Sequence, residues 1–450
     1  MEPPSRTRLT SVPDVFGASA VSRVQAALDA ANDTQNTLNA FISIDDERAL
    51  ERASEIDAKI NKGEHVGPLA GVPVGLKDLI DQKGRVTTAG SAFYRQEPGT
   101  NAPCVDALEQ AGAVIIGKTG LHEWAFGFSS ENPHWGVIRN PWDQTTSPGG
   151  SSGGSAVAVA AGITPISIGT DTGGSVRVPA ALCGTYGLKV THGRIPLDGV
   201  FPLVSSMDTV GPLADSIENI NLAYRTMSSD SAPEPGPAPM RLGIPQPWHQ
   251  NSPTDDDIAG EFANAVAALR DMGHEVHSIE MPDVEPSIQL WNFIAEEVRV
   301  VHGEFRRESQ PYGKDVSERL DDADLVTEEE GVKAKVWQKM IRTRFSDALS
   351  TVDFLITPTV PVRRKVIGEE NIGDRHYRAV LSYFSALVNH SLHPAIALPL
   401  LSSGAPSTSL QVIGSRDSEA ALIAFGRTLE AQKLVGFEPS PVDSPKPGGG

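Results

Sequence analysis

Residues 147–180 read SPGGSSGGSAVAVAAGITPISIGTDTGGSVRVPA, and the rest of the chain is organised around them. Two Gly/Ser clusters, 149–155 and 173–175, flank an apolar run, and Arg177 and Pro179 close the stretch. A flexible linker does not fit, because linkers are not interleaved with an apolar helix pattern (156–161) and a short strand (166–169). A phosphate loop does not fit either, since GxxxxGK[ST] is absent and no lysine stands where it is needed. Nucleophilic catalysis remains, in two forms. Gly150 to Gly154 formally match G-x-S-x-G, the α/β-hydrolase elbow, which would need a preceding strand and a later acid and base such as Asp353 and His393. The preceding NPWDQTTSP carries two prolines and makes a poor strand. The alternative is a Ser–Ser–Lys site, in which glycines beside Ser175 let backbone N–H groups converge on a developing oxyanion. A desolvated lysine can act as base there, because burial disfavours its charged form.

Working outward, the 450-residue chain carries 57 acidic and 38 basic residues, so its net charge of −19 argues against general affinity for nucleic acid or anionic membrane. Its two cysteines, Cys104 and Cys183, give no disulfide framework and no Cys/His ligand spacing. No secretory h-region is visible at the N-terminus, and no apolar run approaches the roughly 20 residues needed to span a bilayer. A cytoplasmic protein is expected.

Helical spacing marks 18–34 and 50–62 as outer helices. The segment GVPVGLKDLID (71–81) alternates as a strand and ends at Lys77, which by itself reads as a snorkelling surface lysine. A helix opens at Pro103 and the strand AVIIG (113–117) follows it. The aromatic segment 121–143 reads either as a substrate wall or as a loop packed on the core. Residues 184–215 read as loops with short elements, and 228–239 as a linker. Beyond it come strand 242–244, helix 257–272, strand 274–280 and a long amphipathic region, 287–350, whose acidic runs 321–324 and 328–330 read as solvated faces. Strand 354–357, helix 376–390, strands 395–399 and 409–413 and helix 417–432 complete the chain. Alternating strands and helices imply an α/β layered sheet.

Residues 149–180 resemble the amidase signature family over about thirty positions, from Gly149, Gly150 and Ser151 through Gly169, Asp171, Gly173, Ser175, Val176, Arg177, Pro179 and Ala180. GVPVGLKDLID resembles that family's lysine motif, ENPHWGVIRNPWD its loop before the signature, and ITPTVPV and HPAIALP its later segments. The resemblance implies one amidase domain over 1–437, with N-terminal helices at 18–62, a signature core at 66–215 and a C-terminal α/β half at 240–437. The fold would be a large mixed β-sheet between layers of α-helices, followed by a disordered tail at 438–450. It implies Ser175 as nucleophile, Lys77 as base and Ser151 as bridging serine in a cis peptide, 24 residues before the nucleophile. Thr172, Gly173 and Gly174 would supply oxyanion N–H groups. Asp171 and Arg177 would support the site from behind, Ser152 would be structural, and Phe126, Gly127, Phe128 and Ser129 would line the substrate. The expected substrate is a small-molecule amide or carbamate, with no metal or cofactor; a homodimer is a family expectation.

Two departures stand out. Relatives have Asn-x-x-Gly-x-Pro before the late strand, where this chain has Asn389-His390-Ser391-Leu392-His393-Pro394. Residues 287–350 diverge, and the chain does not strongly resemble the glutamine-dependent amidotransferase subunit that acts on mischarged tRNA.

Overall fold

The computed structural model describes residues 19–441, apart from 237, 402–405 and 407. An eleven-stranded mixed sheet runs through them. Its order is Phe41–Ile44, Val114–Thr119, Pro73–Lys77, Ile166–Asp171, Thr209–Ala214, Tyr186–Lys189, Ala395–Pro399, Ser409–Ile413, Phe354–Pro358, Arg241–Gln246, Glu275–Glu280. The central strands are buried along their whole length. That explains why they read as short apolar runs rather than as alternating ones: helices cover both faces of such strands.

One pairing positions the site. Pro73–Lys77 and Ile166–Asp171 are parallel neighbours, with Val74 opposite Ile166 and Leu76 opposite Ile168. Their carboxyl ends therefore emerge together at one edge. Ile166–Asp171 then pairs antiparallel with Thr209–Ala214, so the strand direction switches beside the site. Open α/β sheets bind ligands outside the carboxyl ends of strands, where the order changes.

Residues 184–215, expected as loops with short elements, supply two strands of the sheet, Tyr186–Lys189 and Thr209–Ala214. Their glycines and Pro212 disguise them, and only pairing with neighbours makes them strands. The expected helix 376–390 is split into Tyr377–Leu381 and Ala386–Ser391. The second ends at Leu392 with φ of +64°, a left-handed position that favours glycine, the residue the family resemblance leads one to expect there.

The region 287–350 is three helices, Ile288–Arg307, Lys314–Leu325 and Glu328–Leu349. Its acidic runs do more than face solvent. Glu330 closes a capping box with Thr327 at a helix N-terminus, and Asp321 and Asp324 both pair with Arg306. The expected disordered tail lies outside the described residues from 442 onward. Within 438–441, Ser440 docks on the carbonyl of Ala160 through its N–H (3.0 Å) and Oγ (2.9 Å). Among the described residues no helix is long and apolar enough to cross a membrane.

Candidate active site

Lys77 is the last residue of its strand and is fully buried. Its Nζ lies 2.7 Å from Ser151 Oγ, 2.9 Å from Ser152 Oγ and 2.8 Å from Thr170 Oγ1. All three neighbours are hydroxyls, so no carboxylate touches the ammonium. Burial lowers its pKa to about 7, with Asp171 and Asp208 opposing that fall. Ser152 Oγ donates its own proton to the Thr170 carbonyl at 3.2 Å, so it can only accept from Nζ. Ser151 Oγ has no other partner among the described residues, so it is free to turn its proton toward a neutral Nζ. Ser152, expected to be structural, and Thr170, which the sequence does not single out, thus complete the lysine's cage.

The loop that carries Ser151 is held by close approach. The Gly150–Ser151 peptide is cis. The helix Gly153–Ala160 starts immediately after it and abuts the sheet at Gly154, where a Cβ would meet the Ala40 carbonyl at 2.3 Å and Gly120 N at 2.5 Å. Ser152, the serine of the G-x-S-x-G match, does not follow a strand, which removes the structural requirement of the α/β-hydrolase elbow. That elbow's partners are elsewhere: Asp353 pairs with Arg241 (3.2 Å), and His393 is buried with Nδ1 on the Ser391 carbonyl (2.9 Å).

Ser175 lies at the start of the turn into the helix Arg177–Cys183. Its backbone meets the other serine loop, since Ser152 N–H donates to the Ser175 carbonyl (3.2 Å). Its Oγ bonds to none of the described residues and borders a cavity of about 200 Å³. The turn is fixed by Asp171, whose carboxylate accepts from Gly174 N–H (2.8 Å), Val176 N–H (3.1 Å), Arg177 Nε (3.0 Å) and Arg177 Nη2 (2.9 Å). Burial works against the charge of Asp171, but Arg177 holds its carboxyl well below the usual range. Arg177 reaches on to Gln411 Oε1 (2.7 Å) and Asn389 Oδ1 (2.6 Å), so the late segment is tied to the same turn.

This arrangement corrects one expectation. The Gly174 N–H, expected in the oxyanion hole, is committed to Asp171. Gly174 is needed for another reason: its φ is +129°, and a Cβ there would lie 2.1 Å from Ser385 Oγ. The N–H groups of Thr172, Gly173 and Ser175 donate to none of the described residues and remain available. The Thr172 hydroxyl bonds to buried Asp208, which also accepts from Leu203 and Val204 N–H.

Phe126, Gly127 and Phe128 border the cavity. Ser129 does not; it turns into an adjoining polar pocket with His122, Lys365 and Tyr377, because its neighbour Phe128 takes the inward position. The aromatic segment divides between the cavity and the core. Trp124 packs in a cluster with Phe93, Tyr94, Phe201, His302 and Phe305, at centroid distances of 4.7 to 5.5 Å. The sequence reading missed the far wall: Leu290, Trp291 and Ile294, then Arg319, Arg378 and His390. Only the apolar face of 288–307 hinted at it. His390 is buried against Phe293 and Trp337, with both ring nitrogens unpaired and its pKa lowered to about 3 by burial. Among the described residues no group of three or more His, Cys, Asp or Glu is placed to hold a metal ion.

Comparison with known proteins gives the family. The family description "Amidase" matches residues 22–423. The homologous subunit of glutamyl-tRNA(Gln) amidotransferase from Alkaliphilus metalliredigens is 33% identical, covering 93% of this chain and 94% of the relative. AtzE, from the 1-carboxybiuret hydrolase of Pseudomonas sp. strain ADP, is 34% identical, covering 90% and 93%. A crystal structure of an amidase superposes with TM-score 0.88 at 30% identity, covering 96% of this chain and all of that one. The expected distance from the amidotransferase is therefore corrected, because divergence within 287–350 does not prevent a match across nearly the whole chain. The chain belongs to the amidase signature family of amide-hydrolysing enzymes.

Proposed function

We propose that the protein hydrolyses the C–N bond of a small-molecule amide through an acyl-enzyme on Ser175, with Ser151 relaying protons to and from Lys77. The observation that carries this reading is the lysine: fully buried, caged by hydroxyls, with a pKa near 7 and the Ser151 hydroxyl proton free to turn toward it. Neutral Nζ takes the Ser151 proton as Ser151 takes that of Ser175. Ser175 Oγ then bonds to the carbonyl carbon, and the oxygen, now negative, faces the unpaired N–H groups of Thr172, Gly173 and Ser175. Collapse breaks the C–N bond while the proton returns through Ser151 to the leaving nitrogen. Water enters by the same relay and releases the carboxylate. None of these steps calls on a metal or a cofactor.

A carbamate or ester would follow the same path with a different leaving group. The relatives favour a second reading, in which the chain serves as the amide-cleaving component of a partner-dependent amidotransferase. Cytoplasmic placement is consistent with two buried free cysteines, Cys104 and Cys183. Self-association into a homodimer is the corresponding proposal for the isolated chain.

The test is product release by the purified chain from aliphatic amides, an aryl amide, an anilide and an aryl carbamate, with Ser175→Ala in parallel. Release of ammonia or amine by wild type alone is expected. Equal activity in Ser175→Ala overturns the assignment, and activity that requires added partner proteins favours the amidotransferase reading.

A further inference from the structure

The chain carries a net charge of −19, yet the cavity at Ser175 is cationic. Arg319 and Arg378 border it, and no Asp or Glu does. His390, the other titratable side chain on that wall, is neutral. The two arginines differ in their partners. Arg378 is ion-paired with Asp315, whose carboxylate also meets His122 Nε2 (2.9 Å), while Arg378 Nε is buried and unpaired. Arg319 stands one turn beyond Asp315 on the helix Lys314–Leu325. Its Nη1 donates to the Phe126 carbonyl (2.9 Å), and its guanidinium lies 4.0 Å from the Phe126 ring centroid and 4.9 Å from that of Trp291. No carboxylate among the described residues forms an ion pair with it.

A half-buried cation laid on an apolar wall without a counter-ion gives up part of its hydration at a cost. Stacking on two rings offsets part of that cost and fixes the plane of the fork. The remaining N–H donors of the fork match one ligand shape best, a carboxylate taken by two parallel hydrogen bonds. The cavity of about 200 Å³ falls below the roughly 300–1,000 Å³ of sites for drug-sized ligands, which places anion and scissile amide within one compact molecule.

We propose that Arg319, with Arg378 on the same wall, forms an anion subsite that selects amides bearing a carboxylate. This rests on the reading of Ser175 as the nucleophile beside that cavity. The carboxylate can sit on the acyl part of the substrate or on its amine part, and matched pairs separate the two. Succinamate against butyramide, and glutaramate against valeramide, test the acyl side. N-acetylglycine against N-propylacetamide tests the amine side.

Wild type is expected to favour the charged member of at least one pair by about ten- to a hundred-fold in kcat/KM. Arg319→Gln is expected to bring that ratio close to one, with Arg319→Lys between. A purely structural role for Arg319 would lower turnover of both members alike and leave the ratio standing. Neutral members turned over as well as or better than charged ones in every pair would overturn the subsite while leaving the amidase reading intact. Calorimetry on Ser175→Ala separates the two ideas from the other side. Binding of the carboxylates but not of the neutral amides, lost with Arg319→Gln, supports the subsite even where wild type turns over nothing. Equal binding of both members overturns it.

Discussion

The Lys77–Ser151–Ser175 side of the cavity and the Trp291–Arg319–His390 side are assembled from different kinds of structure. The first hangs on two adjacent parallel strands and two glycine turns, all within residues 71–184, and Lys77, Ser151 and the Asp171–Arg177 pair are held by hydrogen bonds of 2.7 to 3.0 Å. The second comes from three separate helices of the divergent region and the late segment, joined to the first by ring packing around Trp124 and by Arg319 over Phe126. Parallel pairing fixes where Lys77 meets Thr170 with little freedom. Helices packed through side chains can shift or change residues while the sheet stays as it is. One side can therefore keep a reaction constant while the other changes what it accepts, and the two sides should fail in different ways when altered.

Removing the proposed nucleophile should have the largest effect. Ser175→Ala is expected to lower kcat by about 10⁴-fold or more, measured by product release with the fold checked by circular dichroism. Lys77→Ala should cost about 10³-fold in kcat, whereas the same change at His393, the hydrolase-type base, should leave activity within a few-fold. Roughly equal losses at the two positions would break the comparison.

The pH profile sharpens it further. Lysine acts as base only when neutral, and burial sets its pKa near 7, so kcat/KM should rise with pH through about 7 and then level off. A profile still rising above pH 9 would mean that Lys77 is not desolvated as its cage implies.

Next in size is Gly174→Ala. A Cβ clashing with Ser385 Oγ at a positive φ should strain the turn by about 1–3 kcal/mol and move the oxyanion donors, lowering kcat by about a hundred-fold while KM changes little. Smallest is Trp291→Ala on the helical side, where KM should rise by about ten-fold and kcat should fall less. A kcat loss at Trp291 matching that at Gly174 would show that the two sides are not separable.

Much of the first side was legible in the chain. The Gly/Ser clusters could not be linker or phosphate loop, and the alternation of 71–77 put Lys77 at a strand end. Neither observation alone joined Lys77 to the serines; the family resemblance made that link, and the pairing of Pro73–Lys77 with Ile166–Asp171 gives it a physical basis. The sequence reading makes Ser152 only structural and passes over Thr170, because a hydroxyl's partner depends on which way the backbone turns it. Tyr186–Lys189 and Thr209–Ala214 escaped because a glycine-bearing strand has little signal until it is paired.

By itself the sequence determined the layered α/β class, the position of the turns that only glycine permits, and the residue types able to do acyl transfer. These follow from local rules: side-chain period, backbone freedom and chemical identity. Tertiary structure alone decided that Gly174 N–H serves Asp171 rather than an oxyanion, that Ser129 faces away from the cavity, and that Arg319 and Arg378 share its wall. Those outcomes depend on which groups meet once distant segments of the chain have packed. Burial and hydrogen-bond competition settle them only once the whole sheet and its helices are in place.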